Sequence, residues 1–162
     1  FMTPPFCESM IKAAPMHDLG KIAVDDAILR KPGKFTDEEY EIMKSHSVAG
    51  AKIVANVLQE VDDLVFKQIA VNVAHYHHEK YDGKGYPCGL KGEEIPFEAR
   101  IMALADVFDA LVSKRCYKDS FSYDKAFQII EESLGTHFDP LLGKAFIACR
   151  KNLEALYNND NV

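Results

Sequence analysis

Apolar residues in this chain recur at every third or fourth position and almost never at every second, so the sequence reads as helices joined by short polar turns. Ile69, Val73 and His77 form an unbroken i, i+4 row, the spacing that lines one face of a helix. The spacing predicts helices over about 7–16, 63–81, 97–114, 123–134 and 140–157, with a further helix opening behind Thr36. Thr36-Asp37-Glu38-Glu39 fits a capping box, with Thr36 at the N-cap and Glu39 three residues on. Behind it, Ile42, His46, Ile53 and Val57 keep roughly helical spacing on one face. Lys31-Pro32-Gly33-Lys34 marks a turn. Asp82-Gly83-Lys84-Gly85-Tyr86-Pro87 ends the 63–81 helix and opens a glycine-rich loop that reaches Pro96. The 97–114 helix is apolar nearly all round, which predicts a central, buried position, and Gly135 suits the residue after a helix end. There is no repeat, low-complexity run or internal linker. The expected fold class is all-α, a compact helical bundle in which 1–162 form a single domain.

Charge narrows the possible partners. The net charge of −6 argues against a protein that coats nucleic acid through bulk positive field, so DNA is not expected as a partner. A small anionic ligand has to be held by local cations or metals. The longest apolar stretches, such as Ile101–Val112, are interrupted by Asp106 and Asp109. None approaches the roughly 20 apolar residues of a membrane span. The first residues have no basic region of the signal-peptide kind. Cysteines at 7, 88, 116 and 149 form no C-x-x-C pair, which reads as free thiols in a cytoplasmic protein rather than as a zinc knuckle or a disulfide framework.

Histidines and acids stand where a plain core would not place them. His17-Asp18 falls at a helix end, His46 on an apolar face and His77-His78 on the next helix, while Asp106 is embedded in Ile101-Met102-Ala103-Leu104-Ala105. A lone histidine on an apolar face is usually a hydrogen-bonded core residue. A lone buried carboxylate is rarer, because leaving it unpaired costs several kcal/mol. Together these side chains are hard to satisfy in one small domain without a cation among them. Imidazoles and carboxylates without thiolate suit iron, manganese or another first-row divalent ion better than structural zinc. More than four protein ligands exceed one tetrahedral ion, so two ions are expected, with one aspartate shared and an activated water between them.

The His17-Asp18-Leu19-Gly20-Lys21 segment resembles the HD-x-G-K signature of the HD phosphohydrolase superfamily. His77-His78-Glu79-Lys80-Tyr81-Asp82-Gly83-Lys84-Gly85-Tyr86-Pro87 resembles the HHE-x-x-DG-x-GYP stretch that defines its HD-GYP subfamily. Ala105-Asp106-Val107-Phe108-Asp109-Ala110-Leu111 and Gly135-Thr136-His137-Phe138-Asp139-Pro140 resemble the family's two closing motifs, so the likeness runs from His17 to Pro140. It implies an HD-type bundle with a Gly-Tyr-Pro loop, and His17, Asp18, His46, His77, His78 and Asp106 as metal ligands, Asp18 being the bridge. It implies Lys21 as a cationic stabiliser or proton donor at the scissile phosphate. Arg115 and Lys118 match positions that hold substrate phosphates, their alternative being a solvated helix end. Gly85 and Tyr86 would line the substrate groove, the alternative for Tyr86 being a ring packed on the core. His75 and His137 are left structural.

The activity implied is metal-dependent hydrolysis of cyclic di-GMP to the linear dinucleotide, with GMP as the alternative end product. The alternatives are hydrolysis of another cyclic dinucleotide or nucleotide, a regulatory module that responds to such a ligand with little turnover, and a structural bundle without metal. Partners implied by the resemblance are a sensor or receiver domain and diguanylate cyclase domains. One departure stands out. The family draws a further ligand, Glu or His, from well upstream of the His-Asp doublet, and here only Glu8 precedes His17 as an acid. The chain therefore reads as truncated at its N-terminus and is expected to hold fewer than three ions.

Overall fold

The capping box at Thr36 forms as its chemistry requires: the Thr36 hydroxyl accepts from the Glu39 N–H at 3.2 Å, and the Glu39 carboxylate accepts from the Thr36 N–H at 2.7 Å. Other helices begin in the same way, with Asp63, Ser122 and Asp139 side chains each accepting from backbone N–H groups one turn in. A computed structural model describes residues 2–113 and 120–159, and among these residues the chain forms helices and no strand. The helices are α1 (Pro4–Ala13), α2 (Asp26–Leu29), α3 (Asp37–Val57), α4 (Leu64–Tyr76), α5 (Phe97–Val112), α6 (Tyr123–Glu132), α7 (Pro140–Ala148) and α8 (Arg150–Asn159). Short 3-10 turns at Ala14–Met16, Leu19–Ala23 and Gly92–Glu94 complete the path. The all-α expectation is met. None of the described helices is long and apolar enough to cross a membrane.

Four expectations need correction. On α3 the buried face is His46, Ser47, Gly50, Ala51 and Val54, whereas Ile42 and Val57 are exposed. The Leu19–Ala23 turn presses onto α3 so closely that a Cβ at Gly20 would lie 1.8 Å from the His46 carbonyl and 2.4 Å from the Gly50 nitrogen. Small residues, not large apolar ones, therefore define that contact. The helix expected over 63–81 is only Leu64–Tyr76: His77 is its C-cap and His78 lies in the following turn, so neither is inside the helix. The expected 140–157 helix is two, broken at Cys149 (ψ 7°). The break lets α8 fold back so that Tyr157 packs 5.6 Å from the Phe108 ring. Finally, α2 occupies what reads as loop, nucleated by the Asp25 side chain accepting from Ala27 N–H.

Two apolar clusters result. One gathers Ala13, Val54, Ile69, Ala70, Val73 and Ala74 from α1, α3 and α4, with Leu58 from the C-cap of α3. The other is aromatic, built around Phe108, Phe127, Ile130 and Phe138. Helix α5 belongs to both, giving Met102 to the first and Leu104 and Phe108 to the second. Asp106 lies one turn beyond Met102, flanked by Leu104 and Phe108.

Candidate metal centre

Backbone carbonyls decide the chemistry of the histidines. The Nδ1 of His46 is 2.6 Å from the Met43 carbonyl, that of His77 is 2.9 Å from Val73 O, and that of His17 is 2.7 Å from Ala14 O. A carbonyl can only accept, so each Nδ1 carries the proton and each Nε2 is left facing inward. The Nε2 atoms of His46 and His77 then face one another at 3.4 Å inside the protein. Two neutral imidazoles arranged so would point lone pairs at each other, an unfavourable contact that a cation between them reverses. Asp18 joins them: its Oδ1 is 3.5 Å from His46 Nε2 and 3.8 Å from His77 Nε2. One donor atom each from Asp18, His46, His77 and His78 lies within 4.8 Å of the other three. The donors fit a divalent ion.

A second set lies on the other side of the same carboxylate. Asp18 Oδ2 is 3.3 Å from His17 Nε2 and 2.5 Å from Lys21 Nζ, and His17 Nε2 is 3.7 Å from Asp106 Oδ1. The two oxygens of Asp18 thus address different partners. A cleft of about 460 Å³ opens beside this second set, lined by Ile11, His17, Met102, Asp106, Asp109 and Tyr157.

Electrostatics separates the two sets. Burial, with the neighbouring histidines adding to it, depresses His77 to about 4 and His78 to about 3, so both are neutral bases at pH 7. Burial also lowers His46. Burial pulls His17 down as well, but hydrogen bonds to Asp106 and Asp18 outweigh it and raise His17 to about 10. Burial acts to raise Asp18, yet contacts with His17 and Lys21 hold it below the usual carboxylate range.

The glycine-rich loop is stitched onto the histidine turn. The Tyr86 N–H donates to His78 O at 3.2 Å, and the Tyr86 ring lies 4.8 Å from the His78 ring. Gly85 must be glycine, because a Cβ there would come within 2.3 Å of the Lys80 nitrogen. Glu79 is the residue that sequence reasoning passed over. It is 2% exposed, and its carboxylate accepts from the N–H groups of Cys88, Gly89 and Leu90 at 2.7, 3.1 and 3.1 Å. The available signal was an acid placed just ahead of a glycine-rich loop whose N–H groups need acceptors. Arg100 and Asp139, paired at 2.6 Å between α5 and the start of α7, were also passed over.

Of the residues singled out from the sequence, His17, Asp18, Lys21, His46, His77, His78 and Asp106 come together, with Tyr86 and Gly85 alongside. Arg115 and Lys118 lie outside the described residues. His137, depressed to about 4 by burial and by Lys80, stacks on Phe138 with centroids 4.3 Å apart.

The family described as HD domain matches residues 2–142. A Vibrio cholerae protein named cyclic di-GMP phosphodiesterase is 48% identical over 155 residues, covering 96% of this chain and 32% of its own length. The Xanthomonas campestris protein named cyclic di-GMP phosphodiesterase response regulator RpfG is 45% identical over 144 residues, covering 89% of this chain and 37% of its own. A second Vibrio cholerae protein, named 3'3'-cGAMP-specific phosphodiesterase 2, is 42% identical over 152 residues, with 89% of this chain and 28% of its own length covered. The chain thus spans about a third of the length of the curated relatives it matches. It belongs to the HD domain family and, by its His77–Pro87 stretch, to the HD-GYP subfamily.

Proposed function

We propose that this chain is the hydrolytic domain of a metal-dependent phosphodiesterase that opens cyclic di-GMP to the linear dinucleotide. The observation that carries the reading is the buried pair of Nε2 atoms facing each other beside Asp18, an arrangement that wants a cation. A donor set of nitrogen and carboxylate oxygen without sulfur suits iron or manganese. His46, His77, His78 and Asp18 would hold one ion and His17, Asp18 and Asp106 a second. Ions bound there would supply Lewis acidity and an attacking water acidic enough to ionise at neutral pH.

The chain's own groups do the rest. Lys21, held 2.5 Å from Asp18, keeps an ammonium at the edge of the cluster, where it can meet developing phosphate charge or protonate a leaving oxygen. Arg115 and Lys118 bind the non-reacting phosphate, a task for which the bidentate fork of Arg is suited. Tyr86 and Gly85 wall the groove beside His78. The whole of 1–162 acts as one domain, and the regulatory input comes from a sensor or receiver domain. The relative named a response regulator supports that last point.

The relative named for 3'3'-cGAMP favours one second reading, hydrolysis of another cyclic dinucleotide. The deciding experiment is elemental analysis of the chain loaded with iron or manganese, followed by hydrolysis of cyclic di-GMP and of 3'3'-cGAMP under the same conditions. Preferred turnover of cyclic di-GMP with two equivalents of metal supports the first reading. Preferred turnover of 3'3'-cGAMP supports the second, and metal-loaded protein that hydrolyses neither overturns both.

A further inference from the structure

The wall beside His78 does not end at Tyr86. The next ring is Tyr40, whose centroid is 6.4 Å from that of Tyr86, edge-on at 82°. Lys44, one turn further along α3, places its ammonium 5.4 Å from the Tyr40 ring centre and 5.8 Å from that of Tyr86. The same helix carries His46, so these side chains and part of the metal-ligating set ride on one rigid element. Tyr40 is 47% exposed, a large aromatic ring left in solvent next to a buried histidine cluster. The anionic partner of Lys44 is Glu41 at 2.6 Å, whose side chain is 69% exposed. Lys44 itself is 26% exposed, but its partner stands largely in solvent, so this i, i+3 pair contributes little and Lys44 can exchange Glu41 for a ligand group.

A cyclic dinucleotide is larger than the metal cluster. With one phosphodiester at the histidines, the purine of the adjoining nucleotide must lie on neighbouring surface. We infer that Tyr40 and Lys44, continuing outward from Tyr86, form a ledge that takes a purine base of the substrate, the rings by stacking and the ammonium by contact with the base's carbonyl oxygen or π-face. The inference rests on the phosphodiesterase reading and adds to it the residues that make the site prefer a dinucleotide over a simple diester. Base–aromatic stacking tolerates any base but requires a ring, which fixes the form of the test.

Metal-loaded wild type and variants are assayed on cyclic di-GMP and on methyl p-nitrophenyl phosphate, a diester without a base. Tyr40→Ala is expected to raise KM for cyclic di-GMP by about tenfold or more, with a much smaller change in kcat. Its preference for cyclic di-GMP over the base-free diester should fall to match. Tyr40→Phe, which keeps the ring and loses only the hydroxyl, should restore KM to near the wild-type value. Lys44→Ala should raise KM by roughly five- to tenfold. Ile42→Ala, at a side chain 46% exposed on the same helix, should leave KM unchanged and controls for general damage to α3. A wild-type KM in Tyr40→Ala, or a Tyr40→Phe variant as impaired as Tyr40→Ala, overturns the ledge while the phosphodiesterase reading stands. Failure of wild type to hydrolyse cyclic di-GMP overturns the reading and the ledge together.

Discussion

The two sides of Asp18 differ in almost every physical respect. On one side His46 and His77 are buried, neutral and locked by carbonyl hydrogen bonds, with their free nitrogens 3.4 Å apart. On the other side His17 carries a proton between two carboxylates and fronts an open cleft. A cation entering the first side relieves a repulsion. A cation entering the second must displace a proton and replace an ion pair that already satisfies its members. The same residue types therefore make one preorganised half-site and one half-site in competition with its own salt bridges. Lys21 sharpens the contrast, since it sits on the oxygen of Asp18 that faces the second side.

The most damaging way to test this contrast is to remove the residue that both sides share. Asp18→Asn keeps the shape but loses the charge. Since even outer contacts to ligating groups are worth 10–100-fold, turnover should fall on the order of a hundredfold or more, and elemental analysis should find little metal. An Asn variant that binds two equivalents and turns over normally would falsify the shared-carboxylate assignment.

A finer test sets the halves against each other. His77→Ala should empty the buried half and weaken retained metal by about ten- to a hundredfold, whereas His17→Ala should still hold one equivalent. Equal affinity for the ion retained in the two variants would mean that the halves do not differ in this way. For the proposed phosphate contacts, Arg115→Ala and Lys118→Ala should raise KM for cyclic di-GMP by roughly ten- to a hundredfold without stripping metal. Unchanged KM in both returns them to a solvated helix end. The smallest expected effect is on stability. Gly20→Ala forces a methyl group into backbone and should cost about 1–3 kcal/mol, seen as a Tm lower by several degrees. A variant as stable as wild type would show that the turn and α3 can separate cheaply.

The sequence was most readable where one residue acts through its own chemistry. Thr36, Asp63 and Asp139 announce helix starts because an N-cap needs only a short polar side chain and its next turn. The donor set was readable because histidine and aspartate are costly in apolar surroundings, wherever the chain later brings them. What stayed hidden depends on distant segments. The buried face of α3 follows from the approach of Gly20, and Ser47, Gly50 and Ala51 carry too little apolar signal to mark it. The early end of α4 and the break at Cys149 have no glycine or proline to announce them. Glu79 was in view as part of a motif, but its three N–H partners lie nine to eleven residues on, across a loop whose path the sequence does not specify.

The place of α5 has a consequence for how the domain comes apart. Within a few residues this helix gives Met102 to one apolar cluster and Leu104 and Phe108 to the other, with Asp106 one turn beyond Met102 and flanked by Leu104 and Phe108. Neither cluster can be dismantled without releasing part of the surface that holds Asp106 in place. Loss of the aromatic cluster would free the C-terminal half of α5, and with it the carboxylate opposite His17. Melting should accordingly be a single cooperative event in which the histidine–aspartate cluster and helices α6–α8 fail together, rather than a stepwise fraying from one end.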